Sequence, residues 1–321
     1  MNVMKERGFF KGIDLGGWMS QCDYSKDRLD NFVKEKDFEV IASWGLDHVR
    51  LPIDYNILEN EDGSEYSEEG FGRVAAAVEL AKKYGLKIIL DLHKTAGFSF
   101  DSYSENEHGF FESEKYQQRF IRLWEEFAKR FGSMSDFVAF ELLNEVTDKE
   151  FIDVWNRVVY ECCERIRAYA PDTIILVGSY WNNSPEAVAD LGKPYDNKIV
   201  YNFHCYDPLK FTHQGAYWAQ HVINIDDRFK FEECDITPEY FEDRFLQAIN
   251  KAESEGISVY CGEYGVINIV PPEETVKWFK VINAVFDKFE IGRAAWNYKE
   301  MDFGISDSRM DGVRDELLKY L

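Results

Sequence analysis

The stretch VAFELLNE, residues 138–145, is apolar for most of its length and ends on two polar groups, Asn144 and Glu145. A strand buried on both faces reads this way, because neither face alternates with water. Seven further runs have the same character: 9–13, 48–53, 87–93, 173–179, 199–206, 258–265 and 292–298. Each is short, rich in Val, Ile, Leu and Phe, and several carry their polar residue at the C-terminal end.

Helical patterns fill the gaps. Val276, Phe279, Ile282, Val285, Phe286 and Phe289 recur at helical spacing, behind Pro272-Glu273-Glu274 and ahead of Gly292. Thr147 and Glu150 form a capping-box signal for the helix that follows 138–145. Ser184-Pro185 and Thr237-Pro238 each set an N-cap before a proline at the first helical position. Gly85 closes a helix that starts near Ser67.

Eight strands alternating with helices predict an α/β fold, a (β/α)₈ TIM barrel forming a single domain over residues 1–321. An open doubly wound sheet would need a glycine-rich phosphate loop after the first strand, and Gly16-Gly17 does not supply it. No linker or low-complexity tract interrupts the chain. Two connections are long. Residues 94–114 carry Phe98, Phe100, Tyr103, Phe110 and Phe111, and residues 205–235 carry Phe211, Tyr217 and Trp218. Both follow strands 3 and 6, so both belong to the C-terminal face, where barrels place their sites.

Composition narrows the function. Lys and Arg number 37 against 59 Asp and Glu, a net charge of −22. Phosphate binding needs a basic footprint, so nucleic acid and anionic membranes are excluded as partners. A neutral sugar meets no such repulsion. Aromatic residues make up 16% of the chain, and a ring in a cleft can stack on the flat C–H face of a pyranose. No run approaches the ~18 apolar residues of a membrane span. The N-terminus, MNVMKERGFFKGIDLGGW, has no secretory leader pattern. A cytoplasmic location is expected for the chain as written, and secretion if a leader was removed. The six cysteines show no CxxC or metal-ligand spacing and read as reduced structural thiols. His93 and His204 lie in no HxH or HExxH pattern, so neither a metal nor another cofactor is expected.

Polar residues collect at strand ends. Arg50 lies in HVRLP, His93 closes IILDLH, and Asn144-Glu145 close FELLNE. His204 and Tyr206 close YNFHCY, Glu263 lies in YCGEYG, and Trp296 lies in AAWNY. In a barrel these ends converge on one cleft. Charged groups at the ends of apolar strands need partners or a function. Two carboxylates on strands four and seven face each other, as glycoside hydrolysis requires. One must be a protonated acid and the other an ionised nucleophile, and two like charges held close do not both ionise cheaply. Glu145 suits the acid. Glu263, with Arg50 and the Tyr206 hydroxyl beside it, suits the nucleophile. Glu141 and Asp91 lie lower on their strands and are expected to pair with a buried cation. Adjacent strand residues point to opposite faces, so Asn144 and Glu145 can share one site only if the strand end twists or bulges.

The motifs GIDLGGW, HVRLP, DLH, FELLNE, YNFHCYDP, CGEYGV and WNYK occur in order along the whole chain. In this the chain resembles glycoside hydrolase family 5, the cellulase family, and within it the clostridial endoglucanases. The resemblance implies a retaining endo-β-1,4-glucanase acting by double displacement on soluble β-glucans or oligosaccharides, without metal or cofactor. It implies Glu145 as acid/base and Glu263 as nucleophile, with Asn144 on the sugar 2-hydroxyl. Arg50, His93, His204 and Tyr206 would line the reacting subsite, and Trp296 would floor it. Trp18 and Trp181 are further candidates for sugar stacking, and Trp218 on its long loop is another. The chain departs from the family at His93-Lys94-Thr95-Ala96-Gly97, where many relatives carry a second His or a His-x-x-Pro-Gly turn. The segment after strand six is also shorter. The same chemistry would serve mixed-linkage β-1,3-1,4-glucan, β-1,3-glucan or β-mannan. A non-catalytic glycan-binding barrel would be expected to lose one of the two carboxylates. A monomer is expected.

Overall fold

The computed structural model describes residues 2–101 and 107–321. Eight parallel strands close into a barrel in sequence order, β1 (Lys11–Asp14), β2 (His48–Asp54), β3 (Lys87–Lys94), β4 (Val138–Glu141), β5 (Ile175–Val177), β6 (Ile199–His204), β7 (Ser258–Tyr264) and β8 (Gly292–Ala295), with β8 pairing back onto β1. All eight expected strands are present. Their ends differ where the site begins. β4 leaves the ladder at Glu141 rather than continuing to 145, and the chain then swings between neighbours. Leu142 N–H donates to Leu176 O on the β5 side, and Asn144 N–H donates to Leu92 O on the β3 side. β8 likewise stops at Ala295, short of Tyr298.

The outer layer follows the apolar stripes. The helix Glu68–Lys83 opens on Ser67, whose hydroxyl accepts from Gly70 N–H, and Gly85 behind it has φ +74°, a left-handed turn that suits glycine. The helix Pro238–Glu255 opens on Thr237, whose hydroxyl accepts from Tyr240 N–H. The helix Pro272–Lys288 matches its periodicity. Two expected caps do not form. The Thr147 hydroxyl donates to Asp148 instead of capping, and Ile152–Arg167 begins only after a 3₁₀ turn, Lys149–Phe151. Ser184 donates to Glu186 and starts only a 3₁₀ helix, Pro185–Asp190, so β5 has no full-length helix behind it.

Three buried indoles tie the helical layer to the site-bearing ends of strands. Trp124 donates to Leu142 O, Trp155 to Gly178 O and Trp278 to Asp207 O, each at 2.9 Å. The carbonyls lie just beyond β4, β5 and β6, where the ladder no longer satisfies them. Inside the barrel, Phe9, Ile89, Ala139, Leu176, Val200, Tyr260 and Ala294 fill the lower layer. The polar residues stand on this apolar plug.

The two long connections divide differently than their aromatic content suggests. Phe98, Phe110 and Phe111 are buried, and Phe111 stacks on Phe151 at 4.1 Å. They seal the loop against the outer layer rather than line a cleft. Phe100 reaches the site, edge-on to His93 at 5.0 Å, and Tyr103 lies outside the described residues. After β6, Phe211 is buried, while Tyr217 and Trp218 are exposed and in ring contact.

Candidate active site

Arg50, on β2, is wholly buried and organises the floor. Its Nε and Nη2 give two parallel hydrogen bonds to Glu141, at 2.7 and 2.8 Å. Nη2 also lies 3.0 Å from Asp91 Oδ2 and donates to Asn144 Oδ1 at 2.9 Å. Nη1 donates to Glu263 Oε1 at 2.8 Å and to Asp14 Oδ1 at 3.2 Å. Asn202 adds a donor to Glu141 Oε1. A guanidinium carries five donors in a fixed plane, which suits several carboxylates at once. Glu141 and Asp91 are therefore the buried cation's partners, as expected from their depth on the strands.

Glu263, on β7, receives Arg50 on one oxygen and the Tyr206 hydroxyl on the other, at 2.8 Å. Burial works against its ionisation. The positive charges of His204, Arg50 and His93 and the Tyr206 hydrogen bond outweigh burial and hold the carboxyl below its ordinary range. Tyr206 is itself braced edge-on by His213 and Phe303.

Glu145 reaches the same cleft by backbone geometry. Its φ is +46°, a left-handed conformation that a non-glycine residue adopts at some cost. This breaks the strand alternation after Asn144, so both side chains serve one site. Oε1 of Glu145 lies 2.8 Å from His204 Nδ1, and Oε2 accepts from Asn182 at 3.0 Å. His204 Nδ1 is also 3.6 Å from Glu263 Oε2, so one imidazole faces both carboxylates. Burial opposes a proton on His204, but the charge of Glu263 and the bond to Glu145 prevail and raise its proton affinity. One oxygen of Glu145, one of Glu263 and a ring nitrogen of His204 all lie within 4.8 Å of one another. These three are also the group, among the described residues, whose atoms could hold a metal ion. The same oxygens are already engaged by His204, Asn182, Arg50 and Tyr206.

His93 Nδ1 is 2.6 Å from Asp91, and its ring lies parallel to Trp296 at 5.9 Å. Gly16 leaves room for the Trp296 indole, which a side chain at that position would overlap. His93 Nε2 and Asn144 Nδ2 are buried and make no hydrogen bond among the described residues. Both are polar atoms that a sugar hydroxyl can satisfy.

The tryptophan expectations separate. Trp181 stands at the rim, 55% exposed. Residues 181–183 all have left-handed φ, and their backbone is tied back to the Glu145 segment by Trp181 N–H to Thr147 O and Asn182 N–H to Val146 O. Trp18 is buried, with its indole N–H given to Leu29 O in the helix Lys26–Asn31. Trp218 is exposed on its loop. Sequence reasoning missed Asn182, Asn183 (whose amide is 3.3 Å from His204 Nε2) and Asp14. The signal for the first two was the Asn-Asn pair after Trp181, since Asn tolerates the left-handed conformation.

A pair of close carboxylates at the ends of β4 and β7 of an eight-stranded barrel, one held ionised and one beside polar donors, defines a glycoside hydrolase. The sequence profile described as Cellulase (glycosyl hydrolase family 5) matches residues 11–302, and the chain belongs to this family. It is 58% identical to cellodextrinase A of Ruminococcus flavefaciens over 91% of this chain and 86% of that protein. It is 35% identical to endoglucanase C of Acetivibrio thermocellus over 98% of both. Among solved structures, endoglucanase Cel5A of Thermotoga maritima superposes with a TM-score of 0.83, covering 98% of both chains at 22% identity, a likeness of fold.

Proposed function

We propose that the protein is a retaining endo-β-1,4-glucanase acting on soluble β-glucan and cello-oligosaccharides. Glu263 attacks the anomeric carbon while Glu145 gives its proton to the departing glycosidic oxygen. A glycosyl ester on Glu263 results, and the leaving chain departs neutral. Glu145, now ionised, takes a proton from water, which displaces Glu263 and restores both groups. The observation that carries this reading is the close pair itself. Retaining enzymes hold their carboxyl groups about 5–5.5 Å apart, whereas inverting ones leave about 6.5–9.5 Å for a water. One oxygen of Glu145 and one of Glu263 lie within 4.8 Å, which supports the shorter, retaining separation. The substrate follows from the relatives, one named a cellodextrinase and one an endoglucanase.

The test is the anomeric form of the first product released from cellopentaose, read by proton NMR. The β-anomer is expected. In Glu263→Ala, turnover should vanish, and azide should restore cleavage with formation of an α-glycosyl azide. Initial release of the α-anomer by the unaltered enzyme would overturn the mechanism.

A further inference from the structure

Behind β5, where other strands have a full-length helix, the chain supplies only the 3₁₀ helix Pro185–Asp190 and the loop that follows it. A cavity of about 440 Å³ remains on this outer wall, between the helix Ile152–Arg167 and residues 191–195. Its floor is the outward face of β5 and β6. Val177, Ile199 and Tyr201 pack in the outer layer, whereas Leu176 and Val200 fill the barrel interior. The cavity therefore lies on the other side of the barrel wall from the cleft.

Its loop wall is fixed in place. Asn156 Nδ2 donates to Asp190 O at 3.1 Å, and its Oδ1 accepts from Gly192 N–H at 2.8 Å. The Tyr201 hydroxyl donates to Gly192 O at 2.8 Å. At the mouth stand Tyr160, 57% exposed, and Tyr195, with ring centroids 5.1 Å apart and planes tilted by 56°. Neither tyrosine hydroxyl, nor the ammonium of the exposed Lys193, makes a hydrogen bond or ion pair among the described residues. Two rings and three unused donors thus surround a preformed apolar floor.

Size and charge narrow the occupant. The volume falls in the range of small-ligand sites, about 300–1,000 Å³. One turn of helix, about 10 Å across and 5.4 Å long, already fills about 420 Å³, so a docking helix does not fit. Lys193 is the one charged residue of the lining, too little for a polyanion, and the chain as a whole carries −22. An uncharged ligand with flat C–H faces and many hydroxyls matches both the rings and the donors.

We propose that this cavity is a second carbohydrate site, in which Tyr160 and Tyr195 stack on a β-glucan chain and Lys193 donates to its hydroxyls, holding the polymer outside the cleft. The ligand class rests on the glucanase reading above. A polymer held at two places gains avidity that a short substrate does not. In Tyr160→Ala/Tyr195→Ala, KM on lichenan should therefore rise about three- to tenfold. Turnover of 4-nitrophenyl β-cellobioside, which occupies the cleft alone, should stay within about twofold. Lys193 reports occupancy without any turnover. In Glu263→Gln, cellotetraose should slow acetylation of Lys193 by N-hydroxysuccinimide acetate at least about threefold relative to the exposed Lys36, and adding the two tyrosine substitutions should abolish that protection. An unprotected Lys193, or a double variant with the parental KM on lichenan, overturns the site. So does a parent that sediments as a dimer and a double variant that sediments as a monomer, since the wall then joins two copies. If the unaltered enzyme hydrolyses neither substrate, the glucanase reading fails, and the Lys193 footprint still judges the wall separately.

Discussion

Arg50 Nη1 lies 2.8 Å from Glu263 Oε1, and the opposite edge of the same guanidinium is locked to Glu141 by two bonds. The nucleophile's position is thus set by a group anchored deeper in the barrel. Four buried carboxylates, Asp14, Asp91, Glu141 and Glu263, lie within ion-pair distance of this one cation. Arg50→Met fills similar volume and leaves them without it. Removing one partner of a buried pair costs about 3–5 kcal/mol. The variant should lose about that much stability in urea unfolding, and its kcat should fall by roughly two orders of magnitude or more. A variant unfolding within about 1 kcal/mol of the parent would show that the carboxylates do not rely on Arg50.

Glu263 is held below the ordinary glutamate range, so it remains ionised as the solution is acidified until its folded-state value is reached. Its contribution to stability has the same sign, present above the unfolded value and lost as pH falls through the lower folded one. The acid limb of kcat/KM should therefore lie below about pH 4.3, the value for an unperturbed glutamate. Tyr206→Phe removes one support of the carboxylate, the bond to Oε2. The limb should move upward and kcat should drop roughly tenfold. An unmoved limb in Tyr206→Phe would place the controlling ionisation elsewhere.

The two site histidines act in the opposite direction. Burial disfavours their protons, but Asp91 at His93 and Glu263 with Glu145 at His204 raise both above the ordinary value. The stability they supply is full below about pH 6.5 and is lost as pH rises through their folded values. Tm should fall on the alkaline side. The stability gap between the parent and His93→Gln should narrow over the same interval, since the variant has no such proton to lose. A gap independent of pH would mean that His93 contributes by packing on Trp296 alone.

The barrel and the carboxylate pair were legible because the physics is written locally. Strands buried on both faces must be apolar runs, and a charged residue closing such a run stands out. Glu141 and Asp91 were separable from Glu145 by depth alone, and Arg50 proves to be their partner. What could not be read was set by backbone geometry or by distant partners. The left-handed turn at Glu145 carries no residue signature, since glutamate has no preference for it. Trp18 and Trp181 both follow strand ends, yet one indole finds Leu29 O in a helix and the other is turned outward by three successive left-handed residues. The loop phenylalanines Phe110 and Phe111 pack on Phe120, in the helix Glu114–Phe131, and on Phe151, forty residues on, and contacts between such separate segments leave no local pattern in the sequence.

Asn182 joins two of these features. Its amide donates to Glu145 Oε2, and its backbone sits at φ +55° between Trp181 and Asn183. The two roles can be separated by substitution. Asn182→Gly removes the amide and keeps the left-handed turn easy, whereas Asn182→Ala removes the amide and strains the turn by about 1 kcal/mol. A hydrogen bond to an ionisable group is worth about 1.5–3 kcal/mol, which corresponds to roughly 10–150-fold in rate. Both variants should lose kcat within that range, with the alanine form also less stable. If Asn182→Gly keeps the parental kcat and only Asn182→Ala falls, the residue serves the backbone turn and not the acid. Steady-state kinetics on cellotetraose, with thermal unfolding of each variant alongside, distinguishes the two.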